Sequence, residues 1–287
     1  MSKISKLGLG IVAFEGTEHI KNIAYEVRNE CDYIVVCLQR KSYVGDDISR
    51  EDIDECERLL SKKLIDNIIW FEFDNNLNKR AKDGVDIREV PRRIEADKRN
   101  YIIQHLEDNG CSHAIVVDSD EFYDGTQFKI AKKCINDNDA DTVTYCQYVN
   151  YWRDYQHYIV WPFKTFVPFI SPIRFRYEFR CGCFGFAVDP TRIYKLEIGD
   201  SYSIFEWNIV HMNHFSWIRK DIRKKINSWS SKKYFTQQFL DHVYNKYATW
   251  KEYECACVLF GTPGGKMCIE YLGRQYIHPH YRLNEIV

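Results

Sequence analysis

Residues 114–124, AIVVDSDEFYD, constrain this chain more than any other stretch. Apolar residues run straight into Asp118, Asp120, Glu121 and Asp124. A short apolar run bounded by polar residues reads as a buried strand, which leaves the carboxylates at or just past its C-terminal end. Open α/β sheets gather their ligand chemistry at that end. Acids this close repel one another unless something positive lies among them. Asp118 and Asp120, spaced Asp-x-Asp, can both offer oxygens to one hard divalent cation. A metal that holds a phosphate is one reading; an Asp-rich turn that caps the next helix is the other.

The segments before this stretch alternate between strand and helix patterns. Residues 9–14 and 32–38 are apolar runs that predict strands buried on both faces, with a helix over 17–29 between them. Ser49 and Asp52 give a capping signal for a helix in which Ile53, Cys56, Leu60 and Leu64 share one side, and residues 68–73 predict a third strand. Pro91 opens a further helix through about residue 107, with Ile94, Tyr101, Ile102 and Leu106 as its apolar positions. Such alternation predicts an α/β fold with a mostly parallel sheet flanked by helices.

Composition excludes some classes. A length of 287 residues with 45% hydrophobic content suits a single large α/β domain, and the formal net charge of -1 argues against a globally basic nucleic-acid binder. The N-terminus lacks a signal-peptide core and no apolar run approaches the ~20 residues that span a bilayer, which predicts a soluble, cytoplasmic protein without a transmembrane segment. The 11 cysteines are scattered and odd in number, so packing thiols are expected. Cys181/Cys183 and Cys255/Cys257 are too closely spaced for the usual structural zinc pattern. Gly8-Leu9-Gly10 precedes its apolar strand instead of following one, so it does not read as a dinucleotide loop. Residues 261–266, GTPGGK, read as a surface turn.

Beyond Asp124 the composition shifts. Residues 148–180 interleave aromatics, including Trp152 and Trp161, with Arg and Lys. Such a stretch suits an acceptor glycan or a nucleic acid, or else forms antiparallel strands with aromatic core faces. Residues 211–233 are strongly basic, and Ile218, Ile222, Ile226 and Trp229 recur at the spacing of an amphipathic helix.

The Asp-x-Asp strand resembles that of GT-A-fold glycosyltransferases that use nucleotide sugars. His214-Phe215, with Lys220 six residues after the histidine, resembles the His-Phe-x-Gly-x-x-Lys motif of some of these enzymes, although Trp217 stands where the motif has Gly. The resemblance implies a GT-A-like α/β domain over 1–287, with a nucleotide-sugar-binding half over about 1–125 and an acceptor half over about 126–287. It implies Mn²⁺ or Mg²⁺ bound by Asp118, Asp120 and a histidine, His214 or His211. It also implies a nucleotide-diphosphate sugar donor contacted through Arg99, Asp118 and Lys220. An inverting reaction would need a carboxylate base, for which Glu206 and Glu178 are the candidates nearest in sequence to the acceptor segments. Two other classes compete: a metal-dependent phosphatase or nuclease built on the same acids, and a non-catalytic nucleic-acid-binding module built on the aromatic and basic stretches.

Overall fold

Four apolar strands form the centre of the fold. β1 (Leu7–Ala13), β2 (Tyr33–Gln39), β3 (Asn67–Phe71) and β4 (His113–Asp118) lie in the order β3-β2-β1-β4, and all are parallel. β1 is buried along its whole length, as expected for a strand covered on both faces. The computed structural model describes residues 2–42, 45–73, 90–160, 164–178, 186–189, 191–228, 236–251 and 268–271. The chain is α/β, with mixed sheets flanked by helices.

The chain divides into two units, Met1–Tyr148 with Thr165–Met212, and Val149–Lys164 with Asn213–Val287. In the first, the strands alternate with α1 (Ile20–Val27), α2 (Arg50–Ser61) and α3 (Val90–Asp108), and α4 (Gly125–Asp137) follows β4. Ser49 caps α2, accepting from the Asp52 amide. The buried stripe of α2 is Asp52, Cys56 and Leu59, while Leu60 is exposed, so the expected apolar side is rotated by one position. A polar partner causes the rotation: Asp52 points inward because its Oδ1 accepts from Thr17 Oγ1 at 2.7 Å. On α3 the expected inward residues Ile94, Ile102 and Leu106 are buried, whereas Tyr101 is exposed.

Helix α3 presses directly on β1. A Cβ on Gly8 would meet Leu106 Cδ2 at 2.7 Å, and one on Gly10 would collide with Ile102 Cγ2. These glycines are there for close packing. Gly110, at φ +75°, ends α3 in the left-handed conformation, and the Cys111 amide donates to Leu106 O at 3.0 Å. The chain is thereby turned into β4 within three residues.

Further short strands complete the first unit. β5 (Glu121–Phe122) follows the aspartate turn. β6 (Val143–Trp152) begins in this unit, where it pairs antiparallel with β8 (Thr165–Pro168). β9 (Ser171–Pro172) adds antiparallel to the edge of β4, and β10 (Tyr177–Glu178) pairs antiparallel with β12 (Ile193–Tyr194). β11 (Ala187–Val188) and β13 (Tyr202–Ile204) pair parallel with β8 and β6. Residues 182–185, just before β11, lie outside the described residues.

In the second unit the end of β6 pairs antiparallel with β7 (His157–Val160), which in turn pairs with β15 (Cys268–Tyr271). β14 (His211–Trp217) starts in the first unit and ends in this one. The basic helix, α5 (Ile222–Ser228), starts at Ile222, later than the periodicity predicts, and Ile218 precedes it. Asp221 sets the start, since its Oδ1 accepts from the Lys224 amide at 3.0 Å. Trp152 is fully buried in a cluster with Ile159, Ile222 and Ile226 of this unit and Leu240 and Val243 of α6 (Gln237–Thr249). It is core and not an acceptor platform. Trp161, Trp229, both Cys-x-Cys pairs and residues 261–266 lie outside the described residues. Among the described residues no helix is long and apolar enough to cross a membrane.

Candidate functional site

The acids gather where β4 ends. β4 is buried through Val117, and Asp118 pairs in register with Val12 of β1. The turn beyond it is pinned by Ser119, whose amide donates to Val12 O and whose hydroxyl donates to Glu15 O, both at 2.9 Å. This double anchor holds the following carboxylates, Asp120 and Glu121, which are both buried. Each offers a carboxylate oxygen within 4.8 Å of the other. Asp124 takes no part; it is the N-cap of α4, accepting from the amides of Thr126 and Gln127 at 2.9 Å.

Positive charge lies among the acids, and it comes from two arginines. Arg99 on α3, only 1% exposed, donates through Nη2 to Asp118 Oδ1 at 2.8 Å. Arg192 donates through Nη2 to Asp118 Oδ2 at 2.6 Å and through Nη1 to Glu121 Oε2 at 2.6 Å; its Nη2 also pairs with Glu121 Oε1. Glu121 Oε2 further accepts from the Asp118 amide at 2.9 Å. Burial raises the Asp118 carboxyl, but the charges of Arg99 and Arg192 outweigh it and hold the pKa down at about 2. Asp118 is thus ionised at neutral pH with each oxygen already accepting from a guanidinium.

Arg99 was expected to touch a ligand, and with Glu121 it is as deeply buried as any charge of the cluster. Its Nε and Nη1 are buried without a hydrogen-bond partner, an unusual condition for a guanidinium. The next residue, Asn100, clamps the β10 backbone: its Nδ2 donates to Tyr177 O at 2.8 Å, and the Tyr177 amide donates to its Oδ1 at 2.7 Å. One turn of α3 therefore holds both the aspartate strand and the β10–β12 ladder, whose second strand Arg192 immediately precedes. Lys98, next to Arg99, donates to Gln39 Oε1 at 2.9 Å and pairs with Glu95 at 3.1 Å.

The remaining predicted residues lie on other elements. Glu178 is half-buried in β10, opposite Ile193, the neighbour of Arg192. Glu206 is exposed in a turn, where its carbonyl accepts from the amides of Ile209 and Val210. His211 is stacked on Trp207 at 3.8 Å with its Nδ1 3.1 Å from Trp207 O, which fixes the ring where it is. His214 belongs to the second unit, where its Nδ1 bonds Asn150 Oδ1. Lys220, in the same unit, is exposed in a bend ahead of α5. The cysteines Cys31, Cys37, Cys56 and Cys146 are free and buried, and burial pushes each thiol up to about 12, so they are inert packing groups.

No protein-family model matches the chain, and no curated protein matches its sequence. What the site can do follows from its geometry and chemistry. Sequence reasoning missed Arg192, Ser119 and Asn100. A signal existed only for Arg192, in Asp189-Pro190-Thr191-Arg192. Asp-Pro-Thr initiates a tight turn, here with Thr191 N and Oγ1 donating to Asp189 Oδ1 at 2.9 and 2.8 Å.

Proposed function

We propose that this protein is a metal-dependent glycosyltransferase of the GT-A kind, transferring a sugar from a nucleotide-diphosphate donor to an acceptor hydroxyl. The observation that carries the proposal is the acid turn: Asp118 ends a central parallel strand and Asp120 and Glu121 follow it, with a buried arginine behind them. Parallel sheets bind nucleotide and phosphate ligands at this end.

A hard divalent cation, Mn²⁺ or Mg²⁺, fits the donor set in type, because carboxylate oxygens are its preferred ligands. Asp120 and Glu121 would hold it. Asp118 is less suited to direct coordination, since both its oxygens accept from arginines. When bound, the ion supplies positive charge to a departing diphosphate. Ser119 fixes the turn that presents Asp120, and Arg99 and Asp118 together set the local charge. Arg99, with two donor nitrogens unpartnered, can serve a polar group of the donor. For the base, topology supports Glu178 over Glu206, because Glu178 shares a ladder with the neighbour of Arg192 and Glu206 stands exposed in a turn.

The test is a thermal-shift screen of sugar nucleotides with and without Mn²⁺, followed by donor hydrolysis without acceptor. A metal-dependent rise in melting temperature with one class of donor, lost in Asp120→Asn, is the expected result. No shift with any donor, or full turnover in excess chelator, would overturn the proposal.

A further inference from the structure

We propose that Arg192 is the resident cation of the acid turn, and that a divalent metal ion gains Glu121 only by displacing the Arg192 guanidinium. The proposal rests on the metal reading above and adds a built-in competitor to it. Arg192 is buried, and its Nη1 and Nη2 meet both carboxylate oxygens of Glu121 as well as Asp118 Oδ2. The Glu121 oxygens are those that a hard cation at this turn would need. A guanidinium and a divalent ion cannot share them, because each is a cation and their repulsion is strong where solvent is excluded.

The two arginines of the cluster are mounted differently. Arg99 projects from α3, a helix of 19 residues packed on β1 and β4. Arg192 is held instead by Asp189, three residues before it: its amide donates to Asp189 O at 3.0 Å and its Nε lies 3.4 Å from Asp189 Oδ2. Asp189 thereby helps to hold the Arg192 guanidinium in its resting position against the acids. Arg99 offers the complementary capacity: its Nε and Nη1 are buried donors without partners, able to take acceptors when Asp118 loses Arg192.

The experiment is a titration of the full chain with Mn²⁺, following free Mn²⁺ by electron paramagnetic resonance. The variants are Arg192→Gln, which removes the competing charge, and Asp189→Ala, which removes its tether without touching Glu121 or Asp118. Arg192→Gln should bind Mn²⁺ about tenfold tighter or more than the unaltered protein, within the range of ordinary coupling between two sites. Asp189→Ala destabilises the resting position of Arg192 and should tighten binding by a smaller factor. In the unaltered protein, Mg²⁺ should move the Arg192 Nε resonance of arginine-labelled material.

Measurable Mn²⁺ binding with equal or weaker affinity in folded Arg192→Gln would overturn the displacement while leaving the metal reading intact. Should Arg192→Gln not fold, Asp189→Ala decides, and affinity no tighter than that of the unaltered protein overturns the displacement. Absence of Mn²⁺ binding in all three proteins would overturn the metal reading and the displacement with it.

Discussion

Asp118 shows how much a single residue can depend on its partners. Its carboxyl falls from 3.8 to about 2 in the fold, because two guanidiniums outweigh the cost of burial. A depressed pKa means that the ionised form stabilises the fold above about pH 4, and that this contribution is lost as pH falls from about 4 to about 2. Urea titrations at pH 7, 4 and 2 should show this loss in the unaltered protein and a flatter profile in Asp118→Asn. Equal profiles would mean that the arginines do not hold the charge. Arg99→Met should cost about 3 kcal/mol, the low end for a broken buried pair, because Asp118 keeps Arg192 and is itself 31% exposed. Gly10 makes a steric demand instead: Gly10→Ala drives a methyl into Ile102 and should cost about 1 to 3 kcal/mol by chemical denaturation.

At the scale of elements, the apolar runs of β1, β2 and β4 and the capping signal at Ser49 were legible because each is local. The register of α2 was not. Its buried side depends on Thr17, 35 residues away, whose hydroxyl draws Asp52 inward. Trp152 is similar: alternation of aromatic and basic residues fits both a stacking surface and a core strand, and only packing against α5 and α6 distinguishes them. Trp152→Ala should therefore cost about 3 to 5 kcal/mol and leave donor hydrolysis per folded molecule unchanged. A loss of acceptor use at unchanged melting temperature would restore the stacking role.

Over the whole molecule, the acid turn was readable from residues 114–124 and Arg99 stood out as a donor contact, but neither Arg99 nor Arg192 was readable as a counter-charge to Asp118. Arg99 lies 19 residues before Asp118 and Arg192 lies 74 after it. Their convergence requires α3 to pack on the sheet and the β10–β12 ladder to be clamped by Asn100. Nothing local announces either event, so the sequence suggests a metal where the fold supplies arginines. The two sources of charge have different consequences for stability. Arginine compensation is independent of ligand, whereas a metal and donor stabilise by mass action, by about 2.7 kcal/mol at a hundredfold excess over Kd. Mn²⁺ with the matching sugar nucleotide should raise the melting temperature accordingly. In hydrogen exchange, the added protection should concentrate at residues 113–124 and in the turn at 189–192. Asp120→Asn should keep the ligand-free melting temperature near that of the unaltered protein and abolish the ligand-dependent rise. A rise that survives Asp120→Asn, or added protection confined to segments away from β4, would place the ligand elsewhere and leave the acid turn as an arginine-clamped structural junction.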